Sequence, residues 1–130
     1  MKYRSVRGTH DIIGSEIYKF DKIIIEISKL GQIFNFQKIE TPIFEFTELF
    51  SKPLGEQSDV VLKEMYTFFD RNNDSLTLRP EYTTPMIRAA ISNDLLNKLP
   101  CKLFGTGPMF RRERPQKGRY RQFNQINFEN

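Results

Sequence analysis

Residues 110–123 read Phe110-Arg111-Arg112-Glu113-Arg114-Pro115-Gln116-Lys117-Gly118-Arg119-Tyr120-Arg121-Gln122-Phe123, and this segment guides the interpretation of the chain. It holds six of the 20 basic residues and one acidic residue, so it carries +5, whereas the whole chain carries +4. A charge this local is typical of a binding site for a polyanion rather than of a generally basic surface. Composition alone leaves a solvated basic loop open as the alternative.

The basic segment lies between two runs of alternating apolar residues. The runs are 102–110 and 121–129, and the second includes Phe123, Ile126 and Phe128. Alternation with a period of two is typical of strands, and the proline and glycine between the runs indicate a loop. We therefore predict two antiparallel strands joined by a loop of arginines. Five arginines to one lysine favour shaped phosphate recognition, because the guanidinium is a planar fork of donors.

Length and composition exclude several classes of protein. The 130 residues suit one domain with a modest core. Cys101 and His10 are the only residues of their types, which excludes internal disulfides, cysteine metal clusters, His-pair metal sites and most Ser–His or Cys–His catalysis. We find neither a membrane span nor a secretory signal, since no apolar run approaches about 18 residues. The lone cysteine favours a reduced, cytoplasmic setting, and any chemistry must rest on arginines, carboxylates and amides.

The first long helix is predicted over residues 11–34, because its apolar residues recur at steps of three and four. Asp11 or Ser15 is its expected cap, and Gly31 is expected to weaken its end. The apolar residues on this stripe are Ile17, Phe20, Ile23, Ile24, Ile27 and Leu30.

Helices and strands alternate in the rest of the chain. A strand over 36–41 is stopped by Pro42, which cannot donate to a sheet. Residues 45–50 are expected to form a short helix, followed by a loop at Pro53 and Gly55. Residues 64–70 and 75–78 form a predicted hairpin, and 83–97 a second helix with Pro85 in its first turn. Helices that interrupt hairpin-connected strands indicate an α+β fold, with an antiparallel sheet flanked by helices.

Five segments, in order, resemble class II histidyl-tRNA synthetases. They are Arg7-Gly8-Thr9-His10-Asp11, Thr41-Pro42-Ile43-Phe44-Glu45, Lys63-Glu64-Met65-Tyr66-Thr67-Phe68, Leu76-Thr77-Leu78-Arg79-Pro80-Glu81 and Gly107-Pro108-Met109-Phe110-Arg111-Arg112-Glu113-Arg114-Pro115-Gln116. The run from Arg114 to Phe123 favours the histidine enzyme within class II. The resemblance implies a partial class II catalytic domain over residues 1–130, with motif 1 at about 14–45, the dimer element, and motif 2 at about 104–130, the ATP-binding element.

The same resemblance implies that motif 3 and the anticodon-binding domain are absent from this chain. We therefore expect a truncated catalytic domain that is inactive alone and prone to self-association through its motif 1 helix.

The resemblance assigns ATP-binding roles to five residues. Arg111 is the expected catalytic residue at the ATP α-phosphate, where a preorganised cation stabilises charge that develops in the transition state. Glu113 is expected to face the adenine amino group, and Phe123 to stack on the adenine ring. Arg119 and Arg121 are expected to contact ATP phosphates or the tRNA acceptor end. Ordinary strand core for Phe123 and a solvated loop for the two arginines remain the alternatives.

Four further residues match positions around the amino-acid ligand in the family: Glu81, Thr83, Gln125 and Glu129. Their carboxylate, hydroxyl and amide groups suit the ammonium and imidazole of histidine. For Glu81, a helix cap is the alternative. Tyr82 and Thr84 stand where many relatives have Gly and Ala, which leaves the shape of this wall open. Asn124 stands where many bacterial members have His, and no role is assigned to it.

The implied activity is that of a histidine–tRNA ligase. ATP, with Mg²⁺, would activate L-histidine to histidyl-adenylate, and the acyl group would pass to the tRNA(His) acceptor end. A homodimer through motif 1 and no membrane partner are expected. The alternative is a synthetase-like regulatory protein that binds histidine or a partner enzyme without charging tRNA, against which Arg111 and Glu113 argue. A plain RNA-binding module is a third possibility, although the aromatic clusters of common single-strand binders are missing.

Overall fold

The structure, a computed structural model, describes residues 3–53 and 63–130. The helices are α1 (Ser15–Ile33), α2 (Thr47–Ser51), α3 (Thr83–Ser92) and a 3-10 turn at Leu95–Asn97. The strands are β1 (Gln37–Lys38), β2 (Phe44–Phe46), β3 (Thr67–Phe69), β4 (Ser75–Leu78), β5 (Leu103–Phe110) and β6 (Gln122–Glu129). The predicted α+β class is confirmed. No helix in these two ranges has both the length and the apolar character needed to cross a bilayer.

The strands form two three-stranded sheets, in the orders β1-β5-β6 and β2-β4-β3. The predicted β5–β6 hairpin is confirmed, and its antiparallel register runs from Leu103 opposite Glu129 to Phe110 opposite Gln122. The structure adds a parallel pair that was not expected, because β1 lies beside β5 after a long crossover. The sheets meet where the amide of Phe110 donates to the Arg79 carbonyl at 2.9 Å.

Helix α1 differs from the prediction at both ends. It begins at Ser15 after Gly14, whose φ is +64°, and no side chain caps it, so the expectation of an Asp11 or Ser15 cap was wrong. The helix continues past Gly31 to Ile33, and the weakening of this end by Gly31 stays a prediction. A Cβ on Gly31 would stand 2.7 Å from Cε1 of Phe104, so glycine here allows the helix to approach the sheet.

Shorter elements differ as well. The expected strand 36–41 contracts to β1, and the expected helix 45–50 divides into β2 and α2, because Glu45 pairs with Thr77 of β4. The predicted helix 83–97 ends at Ser92. The 64–70 and 75–78 hairpin is confirmed in shortened form, with Asn73 left-handed in its turn. Gly55 of the expected loop lies outside the described residues.

The core lies between α3 and the β5–β6 hairpin. Tyr82, Met86 and Ala90 of this helical region pack with Leu103 and Met109 of β5, and all five are at most 4% exposed. Burial of these side chains holds α3 against the hairpin, which fixes the start of the helix relative to β6.

Arg79 is buried at the junction of the sheets. Its Nε donates to the Pro108 carbonyl at 2.9 Å, and Nη1 donates to the carbonyl and hydroxyl of Thr41 at 3.0 and 3.1 Å. Its guanidinium carbon lies 4.5 Å from the centre of the Tyr82 ring. A Cβ on Gly107 would collide with this guanidinium. Arg79 therefore ties the end of the β1 segment to β5 by hydrogen bonds to neutral groups.

Candidate functional site

Strand β6 presents one half-buried face to the rest of the domain. Because side chains alternate along a strand, four polar or aromatic residues share this face. They are Phe123, Gln125, Asn127 and Glu129. The start of α3 lies over the Glu129 end of this face, and Arg111 lies over the Phe123 end. One strand thus connects both halves of the predicted site.

A cavity of about 240 Å³ lies at the Phe123 end. Nε of Arg111 donates to the Pro80 carbonyl at 3.0 Å, and the guanidinium carbon lies 5.1 Å from the Phe123 ring centre. Within the described ranges the terminal nitrogens of Arg111 have no hydrogen-bond partner, and the residue lines the cavity. The cavity is lined by Arg111, Glu113, Gly118, Arg119, Tyr120 and Phe123.

Two arginines, Arg111 and Arg119, line the cavity together with one carboxylate, that of Glu113. Among residues 3–53 and 63–130, none of the arginines of the loop forms an ion pair with a carboxylate. Glu113 is the only acidic residue of residues 110–123 and lines the cavity itself. Guanidinium groups without an ion pair, beside an aromatic ring, suit a ligand that carries both phosphate and a flat ring.

Arg121 has a different position from the other predicted ATP-binding residues. It does not line the cavity. Its Nε donates to the Glu113 carbonyl at 3.3 Å, and its Nη1 donates to the Arg7 carbonyl at 3.3 Å. Its backbone amide donates to the Gly8 carbonyl at 2.7 Å. The side chain of Arg121 therefore joins the loop to the N-terminal segment of the chain.

The Glu129 end of the face holds a polar network. The Thr83 hydroxyl donates to Oε1 of Glu129 at 2.6 Å, and the Asn127 amide donates to the same oxygen at 2.8 Å. Asn127 also lies 3.3 Å from the Thr83 hydroxyl. Asn127 was missed by the sequence reasoning, although the period of two that places Gln125 and Glu129 on this face includes it.

Two of the predicted residues have contrasting environments. The Glu81 carboxylate accepts the Thr84 amide at 3.1 and 3.2 Å, which is the contact expected of a helix cap. In contrast, Oε1 of Gln125 is buried and has no hydrogen-bond partner in the part of the chain that the structure describes. A buried oxygen without a donor is costly, so it is a candidate acceptor for a ligand.

Two of the three residues that depart from the family pattern, Tyr82 and Asn124, lie away from this face, whereas the amide of Thr84 donates to Glu81. Tyr82 is fully buried, and its hydroxyl lies 3.4 Å from both the Thr41 amide and the Ile39 carbonyl. It therefore belongs to the core. Asn124 lies on the opposite, exposed face of β6.

Comparison with known proteins identifies the family. The family model described as "tRNA synthetase class II core domain (G, H, P, S and T)" matches residues 66–129. The chain is 51% identical over 129 residues to the histidine–tRNA ligase of Wolbachia pipientis subsp. Culex pipiens (strain wPip). This alignment covers 99% of this chain and 31% of that protein.

Solved structures give the same result. The apo histidyl-tRNA synthetase of S. aureus superposes with a TM-score of 0.80 at 36% identity, over 98% of this chain and 28% of that one. An ATP phosphoribosyltransferase regulatory subunit/histidyl-tRNA synthetase from Bacillus halodurans, at 20% identity and a TM-score of 0.80, shares the fold over 98% of this chain and 32% of that one. The chain thus spans less than a third of the length of these proteins. It belongs to the histidyl-tRNA synthetase family of the class II aminoacyl-tRNA synthetases.

Proposed function

We propose that this chain forms the ATP- and histidine-binding part of a histidine–tRNA ligase. The observation that carries the proposal is the half-buried face of β6. That face brings the arginine cavity at Phe123 and the polar network at Glu129 onto a single strand. A ligase that joins a nucleotide to an amino acid needs its two binding sites side by side, because the carboxylate must reach the α-phosphorus.

In the first reaction, a carboxylate oxygen of histidine attacks the α-phosphorus of ATP, forming histidyl-adenylate as pyrophosphate leaves. The terminal nitrogens of Arg111 are free to donate to the α-phosphate, where negative charge develops. Phe123 would stack on the adenine ring, and Glu113 would accept from the adenine amino group. The Pro80 contact fixes the direction of the Arg111 side chain before the substrate binds.

The histidine substrate would occupy the Glu129 end of the face. Its ammonium and imidazole N–H groups are donors, and the site offers Oε1 of Gln125 and the carboxylates of Glu81 and Glu129 as acceptors. The Thr83 hydroxyl already donates to Glu129, so it would orient this carboxylate. For Glu81, ligand binding would compete with the Thr84 amide.

In the second reaction, a hydroxyl of the terminal ribose of tRNA(His) attacks the acyl carbon, and AMP leaves. Arg119 lines the cavity and can serve either phosphates of ATP or the acceptor end, and Arg121 would support the loop beside it. In the described ranges, no group of three or more His, Cys, Asp or Glu could hold a metal ion. Mg²⁺ would accompany the ATP phosphates, its usual ligands in nucleotide sites.

The chain would be the N-terminal part of the catalytic domain of a longer synthetase, with motif 1 at about 14–45 and motif 2 at about 104–130. Helix α1 buries only Gly31 fully and leaves large apolar side chains exposed, among them Tyr18, Ile25 and Ile33. Such a face suits a homodimer interface, because monomers rarely expose contiguous apolar patches. A role in translation would be carried out in the cytoplasm.

Histidine-dependent exchange of pyrophosphate into ATP by the complete synthetase tests the proposal. Exchange that requires histidine would support it. Histidine binding without exchange would instead favour the regulatory alternative and contradict the ligase proposal. The 130-residue chain should give no exchange above background by itself, since the resemblance implies that motif 3 lies outside it.

A further inference from the structure

The N-terminal segment, residues 5–10, lies against the base of the basic loop, more than one hundred residues away along the chain. The Gly8 carbonyl accepts the Arg121 amide at 2.7 Å, and the Arg7 carbonyl accepts Nη1 of Arg121 at 3.3 Å. The segment forms its own turn, in which the amide and hydroxyl of Thr9 donate to the Val6 carbonyl at 2.9 and 2.7 Å. It therefore meets the loop as a shaped turn.

Gly8 fits this contact because it has no side chain. Its φ is +84°, a conformation that favours glycine. A Cβ at this position would lie 2.9 Å from Cγ of Arg121 and 3.0 Å from Cγ of Pro115. A larger residue at position 8 would collide with both Arg121 and Pro115, and it would push the N-terminal segment away from the loop.

His10 makes a second contact with the same loop. Its ring centre lies 4.7 Å from that of Tyr120, with the planes tilted by 40°. Tyr120 and Phe123 line the 240 Å³ cavity that holds Arg111, and they also line a cavity of about 260 Å³ on the other side, where His10 lies. The rings of Tyr120 and Phe123 thus form a wall between the two cavities, and His10 contacts Tyr120 from the second cavity.

We propose that the N-terminal segment positions the ATP-binding loop, with Gly8 setting its distance from Arg121 and His10 holding Tyr120 in the cavity wall. This inference rests on the proposed binding of ATP at Arg111. Gly8 and His10 do not line the cavity at Arg111. They would not contact the nucleotide, so they are positioning residues. Their loss should weaken ATP binding without affecting the histidine half of the site, which lies on the far end of β6.

The first test follows the loop itself and does not depend on activity. In the complete synthetase, Gly8→Ala should accelerate tryptic cleavage after Lys117 and Arg119 by about tenfold or more, because overpacking displaces the segment. Gly14→Ala is the matched control. Gly14 also has a positive φ, +64°, but a Cβ there would meet nothing within 4 Å. Equal cleavage rates in the two variants would overturn the inference.

The second test uses pyrophosphate exchange and His10. His10→Ala should raise KM for ATP about three- to tenfold, the range expected for loss of an aromatic pair, and leave KM for histidine unchanged. His10→Phe keeps the ring and should restore KM for ATP. An unchanged KM for ATP in His10→Ala, or equal rises for both substrates, would overturn the inference. Lack of exchange in the unaltered synthetase would contradict the ligase proposal instead, and the cleavage rates would still decide the role of the segment.

Discussion

The guanidinium of Arg111 lies 5.1 Å from the ring centre of Phe123 and is oriented by a hydrogen bond of 3.0 Å from Nε to the Pro80 carbonyl. Pro80 directly precedes Glu81 at the mouth of α3. The residue expected at the ATP phosphate is therefore fixed by both halves of the site. The contact on the Glu81 side is made to a backbone carbonyl, so a substitution of the Glu81 side chain does not remove the hydrogen bond of Arg111.

Glu81→Gln in the complete synthetase should raise KM for histidine well before it changes KM for ATP. The substitution removes a negative charge that would face the ammonium or imidazole of the substrate, whereas the amide oxygen can still accept the Thr84 amide. Steady-state exchange kinetics with each substrate varied in turn would measure this. Parallel rises in both KM values would indicate that Glu81 is a structural cap whose change loosens the whole site.

Gln125→Leu should raise KM for histidine without lowering the free energy of unfolding. Its Oε1 is a buried acceptor without a donor in the described residues, so an apolar side chain removes an unfavourable group. Asn127→Leu is the matched control from the same face. It loses hydrogen bonds to Thr83 and Glu129 and should cost about 1–3 kcal/mol in urea unfolding. Destabilisation of Gln125→Leu equal to that of the control would contradict a ligand-binding role.

Arg79→Met should destabilise the domain by about 2–4 kcal/mol, because it leaves the Thr41 and Pro108 carbonyls without their buried donor. Gly107→Ala should have a similar effect, since the new methyl group would collide with the guanidinium. Urea unfolding monitored by circular dichroism would measure both. The exposed Arg71 provides the control, and Arg71→Met should change stability by less than about 0.5 kcal/mol.

The 130-residue chain should self-associate at tens of micromolar through α1, and Ile25→Glu should shift it toward monomer. Ile25 is 54% exposed on a helix whose outer face carries further apolar side chains. A charge there opposes burial between two copies. Light scattering with Lys29→Glu as a control on the same helix would measure the shift. A clean monomer for the unaltered chain at this concentration would exclude association.

The β5–β6 hairpin was predictable because its signals are local: a period of two on both sides of a loop with proline and glycine. The same period places Phe123, Gln125 and Glu129 on one face of β6, whereas their roles in binding are implied by the resemblance. The start of α1 was not predictable, since Gly14 in a positive φ replaces a side-chain cap. The division of residues 44–51 into β2 and α2 was not predictable either, because the pairing of Glu45 with Thr77 overrides local propensity.

Other features depend on contacts that no local pattern records. Arg79 is part of the core through its partners Thr41 and Pro108, which lie about thirty or more residues away along the chain. Likewise, the contact of Gly8 with Arg121 joins opposite ends of the chain. Whether Arg121 contacts a ligand stays a prediction, whereas its structural contacts are clear only from the fold.

Binding of the reacting phosphate by Arg111 is tested by histidine-dependent pyrophosphate exchange, compared between Arg111→Ala and Arg71→Ala in the complete synthetase. We expect Arg111→Ala to lose about 3 kcal/mol in transition-state stabilisation, roughly a hundredfold or more in rate, and Arg71→Ala to show near-normal exchange. Near-normal exchange in Arg111→Ala would contradict phosphate binding by Arg111.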